Sequence, residues 1–412
     1  MQTLTQTYPA IKKIKAIEKK AEPVANNFST ANFVTGFRQA IIRRLMWLNI
    51  FLVALRVFKN PFTAFQKVKT FRQLRDQYRN KKVLPKFARA GKRYFVSYNV
   101  PGWPSKAFNR YFVHQLNRFT ATEQSSLHTL VFAITKKCGF QCEHCCEWLN
   151  LNKPETLSKE DLLLIIYRFH QLGVAQIQLS GGEPLNRLND IYYLLDNSPA
   201  GIDYWLYTTG FKLTPEKARQ LKQHGLTGIT ISLDHCTEEK HDAFRGVKGA
   251  YSKALLAAQY AKQAGLAVCF SLCATKDFIN TENLLQYAEL AKNYGVSFIQ
   301  LLEPKAVGHY AGQDVTLSSP HIKLLEYFYE TFNYDPAYKN YPTITYHGYG
   351  SRRFGCSGSG VDYVYADTDG DIHKCPFCQC KIFSAFDDEL PERIRLMKTK
   401  GCAAYNLCST IK

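Results

Sequence analysis

The chain has 412 residues, 46% of them hydrophobic, enough to bury a sizeable core in two or three structural units. Its opening, MQTLTQTYPAIKKIKAIEKK, has no apolar run ending in a cleavage site and does not read as a secretory signal peptide, so the protein is expected to be cytoplasmic and its 13 cysteines to favour metal binding or catalysis over a disulfide framework. The net charge of +19 is lopsided: 23 Lys and Arg stand against three acids between Met1 and Arg110, and the remainder is close to neutral.

In chain order, residues 1–36 are polar and lysine-rich without a sustained period, a flexible basic arm. Residues 37–125 form a basic, helix-prone extension. Between Arg44 and Arg56 only Asn49 is polar, and about 20 apolar residues are needed to cross a bilayer. Residues 37–65 therefore suit a helix lying in the membrane interface. Trp47 and Phe51 would insert, with Arg43, Arg44, Arg56 and Lys59 among the head groups, at the inner face of the membrane. The same run equally suits a helix packed on the protein body or on a partner. No nucleic-acid recognition motif accompanies the charge.

From residue 129 short apolar stretches alternate with amphipathic ones. Strands are predicted at 129–135, 175–180, 204–208, 228–233, 267–274 and 297–302. Between them lie SKEDLLLIIYRFHQLG, TPEKARQLKQHG, YSKALLAAQYAKQAG and TENLLQYAELAKNYG, helices that end at Gly and mostly begin at a Ser or Thr cap. Six such units give an α/β fold, a partial (β/α)6 TIM-like barrel over residues 126–305. After Glu303 the rhythm is expected to stop. A Tyr-, Gly- and Cys-rich segment follows, with a hairpin in VDYVYADTDGDIHKCPF and a smaller domain over 306–412.

Cys138, Cys142 and Cys145 form C-x3-C-x2-C directly after the first strand of the series, where barrel active sites are built. A zinc ion wants four ligands; a [4Fe–4S] cube held by three thiolates keeps one iron open. Cys146 points elsewhere as the next residue along and reads as a small hydrophobe.

CGFQCEHC resembles the signature loop of the radical SAM superfamily, and further matches follow on successive strands. LSGGEPL resembles the family's GGEP motif: Gly181 and Gly182 would admit the backbone close to the cofactor, and Glu183 would meet the methionine ammonium. TTG places Thr209 where relatives often have Asn. Ser232 and Asp234 in ISLDH are implied contacts to ribose or amino group, Arg245 in HDAFRG to the carboxylate, and Leu302 in LLEP to the adenine. His144 is implied to pack near the adenine. Cys269 and Cys273 share one strand face, in the core or lining the cavity.

Cys356, Gly370 and Cys375 give C-x13-G-x4-C, which resembles the opening of the SPASM or twitch auxiliary-cluster domain. With Cys378, Cys402 and Cys408 it implies one auxiliary [4Fe–4S] cluster; Cys380 also lies in CPFCQC, and the family's full downstream cysteine run is absent. A structural zinc ribbon is the competing reading.

The resemblance implies reductive cleavage of S-adenosylmethionine to a 5′-deoxyadenosyl radical that abstracts hydrogen from the substrate, with a flavodoxin- or ferredoxin-like one-electron donor. It favours oxidative modification of a peptide or protein. The basic extension argues instead for a lipid or lipid-linked substrate, and a non-catalytic iron–sulfur or zinc protein is the reading of another class.

Overall fold

The computed structural model describes residues 33–79, 81–117 and 127–400. Residues 1–32 of the predicted arm 1–36 and two predicted ligands, Cys402 and Cys408, lie outside the described residues, while residues 33–36 are ordered as a strand and the start of a helix rather than as arm. The N-terminal part contains β1 (Phe33–Thr35), α1 (Gly36–Phe58), α2 (Pro61–Tyr78), β2 (Lys86–Ala90), β3 (Arg93–Phe95) and α3 (Lys106–Asn117). Asn60 caps α2, its Oδ1 accepting from Phe62 N and Thr63 N, with Pro61 preset for the first turn.

The six predicted strands form as β4 (Thr129–Ala133), β5 (Gln176–Ser180), β6 (Asp203–Thr208), β7 (Gly228–Ser232), β8 (Ala267–Cys273) and β9 (Phe298–Leu302). The intervening helices are α4 (Lys159–Gln171), α5 (Leu188–Asn197), α6 (Pro215–Gln223), α7 (Glu238–Arg245), α8 (Ala250–Gln263) and α9 (Thr281–Asn293). Local chemistry sets their starts: Ser158 and Asp161 make a reciprocal capping box on α4, and Thr214 caps α6 ahead of Pro215. Strand β8 is buried at every residue, as a parallel strand covered on both faces must be.

The expectation that the β/α rhythm stops at Glu303 is corrected. Helix α10 (Ser319–Tyr334) leads to β10 (Thr343–Tyr346), which pairs in parallel with β9; α11 (His347–Phe354) follows. The hairpin forms as predicted, from β11 (Tyr363–Ala366) and β12 (Asp371–His373), but β11 pairs in parallel with β4. After β13 (Phe383–Ser384), α12 (Leu390–Lys400) closes the described chain. One sheet thus runs β10-β9-β8-β7-β6-β5-β4-β11-β12-β13, with eight successive parallel strands whose outer members, β10 and β11, do not pair. The barrel is incomplete, and the C-terminal segment shares its sheet. Strand β10 escaped sequence reading because TITY is four residues long and half Thr, while its pairing is decided by β9, over 40 residues earlier.

The extension is built into the core at the N-terminal ends of the strands. Tyr98, fully buried, packs edge-on against Trp205 with centroids 4.7 Å apart, hydrogen-bonds the Tyr207 hydroxyl, and accepts Gln176 Nε2 at its carbonyl. Arg93 pairs with the buried Asp203 at 2.6 Å, and Arg110 Nε donates to Val174 O at 3.2 Å. Lys86, 0% exposed, donates to the carbonyls of Phe332, Tyr338, Tyr341 and Pro342 at 2.6–3.2 Å.

Insertion of Trp47 and Phe51 into a membrane is also corrected. Both pack against a core of Met46, Ile50, Val53, Phe87, Phe108 and Phe112, and Arg75 lies over the Trp47 ring at 4.9 Å. Helix α1 is apolar on two faces, and composition cannot tell which one α2, α3 and β2 will cover. Among the described residues no helix is long and apolar enough to cross a membrane.

Candidate functional site

The C-x3-C-x2-C loop follows β4 at the C-terminal ends of the parallel strands, opposite the N-terminal cap. Cys142 is buried, and Cys138 and Cys145 half-buried, among Phe140, Ala250 and Val247. Asn152 fixes the first thiol reciprocally: Cys138 N donates to its Oδ1 and its Nδ2 donates to Cys138 O, both at 3.0 Å. His309 holds the other end. Its N–H donates to Cys145 O at 2.9 Å, its Nδ1 lies 2.9 Å from Cys142 O, and its ring stacks on Trp148 at 3.9 Å. Burial pushes the Cys138 and Cys145 thiols up to about 11 and about 12.

Gly181 and Gly182 have a reason for being glycine beyond the cofactor approach expected of them. A Cβ on Gly181, at φ +126°, would stand 2.5 Å from Thr135 O, and one on Gly182 the same distance from Lys137 O and 3.1 Å from Cys138 Cβ. Gly182 N donates to Thr135 O at 2.7 Å and Glu183 N to Lys137 O at 2.8 Å. The glycines let the second loop lie directly against the first.

Glu183 is 3% exposed and fully engaged. Its Oε1 accepts from Thr208 Oγ1 at 2.6 Å and Leu185 N at 3.1 Å; its Oε2 accepts from Thr209 N at 2.8 Å and Thr209 Oγ1 at 2.6 Å. Thr209 thus orients the carboxylate from a place where Asn was the usual residue. Arg245 donates to Asp234 through Nε at 2.6 Å and Nη2 at 2.5 Å, and its Nη1 reaches Cys142 Sγ at 3.4 Å. Asp234 Oδ1 accepts from Cys273 N at 2.9 Å. Burial works against both charges, but each is held by the other: the Asp234 carboxyl stays below the usual range and the guanidinium above its own. Ser232 and Leu302 are half-buried at the ends of β7 and β9, beside Ser271 and Cys273. His144 stacks on Phe244 at 5.0 Å, and its Nδ1 is buried without a partner.

Residues 132–291 match the family model of the Radical SAM superfamily. The chain carries a radical SAM domain. It is 25% identical over 288 residues to an AdoMet-dependent heme synthase of Oleidesulfovibrio alaskensis, covering 64% of this chain and 73% of that one. It is 28% identical over 257 residues to the mycofactocin maturase MftC of Mycolicibacterium smegmatis, covering 60% and 64%. In fold it resembles Streptococcus suis SuiB bound to its precursor peptide SuiA, with a TM-score of 0.55 at 14% identity over 88% of this chain and 84% of that one. Members of this superfamily are enzymes that use a [4Fe–4S] cluster and S-adenosylmethionine.

The residues of the radical SAM domain fit those groups. The loop offers three thiols, an arrangement that leaves one corner of a cube open, and the orphaned His144 Nδ1 faces an environment that lacks a partner for it. Among the described residues no three His, Cys, Asp or Glu side chains converge as tightly as a single metal ion requires. Cys146 lies near Glu147 and Tyr365, and burial raises its thiol. Cys269 and Cys273 are both buried in β8.

The second set gathers beside the hairpin. Cys375 and Cys378 have sulfurs 3.5 Å apart, and Gly358 N donates to Cys356 Sγ at 3.4 Å. A Cβ on Gly358 would stand 2.7 Å from Lys374 O and 3.4 Å from Cys356 Sγ, so that glycine draws Cys356 against the 374–375 backbone. Cys380 is exposed. Tyr365 on β11 donates to Glu147 Oε1 at 2.5 Å, joining this hairpin to the residue two beyond Cys145. No motif marks Asn152, His309, Glu147 or Tyr365, whose partners lie 14 to 218 residues away.

Proposed function

We propose that this enzyme oxidatively modifies a peptide or protein, with Cys138, Cys142 and Cys145 holding the cluster that binds S-adenosylmethionine. Cys356, Cys375 and Cys378 provide ligands of one auxiliary [4Fe–4S] cluster, completed from Cys380, Cys402 or Cys408. The observation that carries this reading is the second thiol set, gathered at Gly358 and tied to the first loop through Tyr365 and Glu147. A second centre suits an oxidation, which must dispose of an electron after hydrogen is removed. The maturase named among the relatives supports a peptide substrate.

The bound cofactors supply reductive cleavage of a C–S bond and hydrogen abstraction; the chain supplies placement. Glu183, oriented by Thr208 and Thr209, supplies a buried carboxylate for the ammonium of the methionine moiety, which would take the place of one of its four present donors. Arg245, fixed by Asp234 against Cys142, presents a cation for its carboxylate. Ser232 and Leu302 line the rim, and His144 on Phe244 offers a flat, neutral surface for the adenine. The electron comes from a flavodoxin- or ferredoxin-like donor in the cytoplasm.

A porphyrin-type small molecule is the second reading, favoured by the heme synthase relatives. Anaerobically reconstituted enzyme, reduced with dithionite, is expected to release 5′-deoxyadenosine, and Cys138→Ala to abolish it while auxiliary iron remains. Co-expression with short peptides encoded beside the gene, read by mass spectrometry, should give a product about two mass units lighter through loss of two hydrogens. Porphyrin turnover with unchanged peptides would replace the peptide reading.

A further inference from the structure

Helix α1 carries a second apolar face that no described residue covers. Phe37, Ile41, Leu45, Leu48 and Leu52 recur at spacings of four and three, one side of a helix, over about 22 Å. Phe37 is 80% exposed and the others 40–54%. The opposite side, with Met46, Ile50, Val53 and Ala54, is buried against α2, α3 and β2. Arg44 flanks the exposed stripe on one edge, Arg38 and Arg56 on the other, and Lys59 stands at its end; all four are exposed. Helix α1 contains no acidic residue.

We propose that this stripe is a docking surface for an anionic lipid bilayer. Isolated exposed leucines are ordinary, but five in register, rimmed by cations and without a carboxylate, complement a surface that is apolar inside and negative at its edge. Charge argues against the other occupants. A second copy would bring Arg38, Arg44 and Arg56 against their own kind, and residues 1–32 hold five lysines against two glutamates.

The geometry also fixes how the enzyme stands on the membrane. Helix α1 belongs to the cap on the N-terminal ends of the strands, through Tyr98 against Trp205 and Lys86 against the 332–342 carbonyls. The cysteine loop, Glu183 and Arg245 lie at the C-terminal ends. The stripe and the active site therefore belong to different ends of the strands, and attachment through α1 requires no lipid to enter the site. This does not favour the lipid substrate that the basic extension first suggested.

The test is co-sedimentation of the full-length protein with phosphatidylcholine vesicles, with and without about one quarter phosphatidylglycerol. The wild type is expected to pellet with the anionic vesicles, roughly tenfold less with phosphatidylcholine alone, and less at about 0.5 M salt. Leu45→Glu/Leu48→Glu should weaken binding roughly tenfold or more, and so should Arg38→Gln/Arg44→Gln/Arg56→Gln, which adds no charge to an apolar face and keeps the test open if the first pair misfolds. Release of 5′-deoxyadenosine should be unchanged in both, which separates failure here from failure of the catalytic reading. A wild type that stays in the supernatant, or stripe variants that bind as the wild type does, would overturn the proposal. So would a wild-type dimer in sedimentation velocity that Leu45→Glu/Leu48→Glu dissolves, since the stripe would then belong to a second copy.

Discussion

Replacing Gly182 by Ala should separate the cysteine loop from the GGEP loop without unfolding the protein. The added methyl would stand 2.5 Å from Lys137 O, where ordinary contact begins at 3.4 Å, so backbone must move by about 0.9 Å. That movement strains the hydrogen bonds from Gly182 N to Thr135 O and from Glu183 N to Lys137 O. Overpacking costs about 1–3 kcal/mol and each weakened hydrogen bond up to about 1 kcal/mol, which together is less than the stability of a typical domain. The cofactor site is less forgiving, because Glu183 and Cys138 would shift relative to each other. Iron content, absorbance of the reconstituted cluster and 5′-deoxyadenosine release are measured beside thermal unfolding. The expected result is a lowering of about 2–20 °C in the unfolding midpoint, at roughly 2–4 °C per kcal/mol for a body of this size, with at least a tenfold loss of cleavage. A variant with unchanged cluster content and unchanged cleavage would refute the contact between the two loops.

Gly358→Ala is the counterpart at the second set. Its methyl would meet Lys374 O and Cys356 Sγ, and it should lower auxiliary iron while 5′-deoxyadenosine release without substrate persists. Arg245→Lys keeps a positive charge but loses the two-armed grip on Asp234; S-adenosylmethionine affinity, read by equilibrium dialysis, should fall roughly tenfold or more. Lys86 makes stability depend on pH. Burial pushes its ammonium down from 10.5 to about 7, so the unfolded chain holds more protons across that window and stability rises with pH. The four carbonyls favour the ammonium and limit the rise to at most about 2 kcal/mol between pH 7 and 9. Lys86→Met should remove this rise in urea denaturation and cost about 1–3 kcal/mol at pH 7 by leaving carbonyls unsatisfied.

What could be read in advance follows the range of each interaction. The β/α succession was legible because caps such as Ser158 with Asp161, and buried runs such as AVCFSLC, are local. The three thiols, Glu183 and Arg245 were legible because each sits at a strand end already marked by its motif. Asn152 and His309 were not: their work on the cysteine loop is done through backbone groups, which leave no pattern of residue types. Lys86 read as part of a basic run, yet its cage is made by carbonyls 246 to 256 residues away. Composition points Trp47 and Phe51 outward because an interfacial helix prefers aromatics, whereas the partner helices cover that face and leave Leu45, Leu48 and Leu52 outside.

The most direct measurement on the central claim is 5′-deoxyadenosine production by anaerobically reconstituted, dithionite-reduced wild type beside Cys138→Ala, with iron counted in both. The account predicts release by the wild type, none by the variant, and iron still bound in the variant by the second cysteine set. A wild type with a filled cluster that leaves S-adenosylmethionine intact, or a Cys138→Ala variant that still cleaves it, would contradict the account.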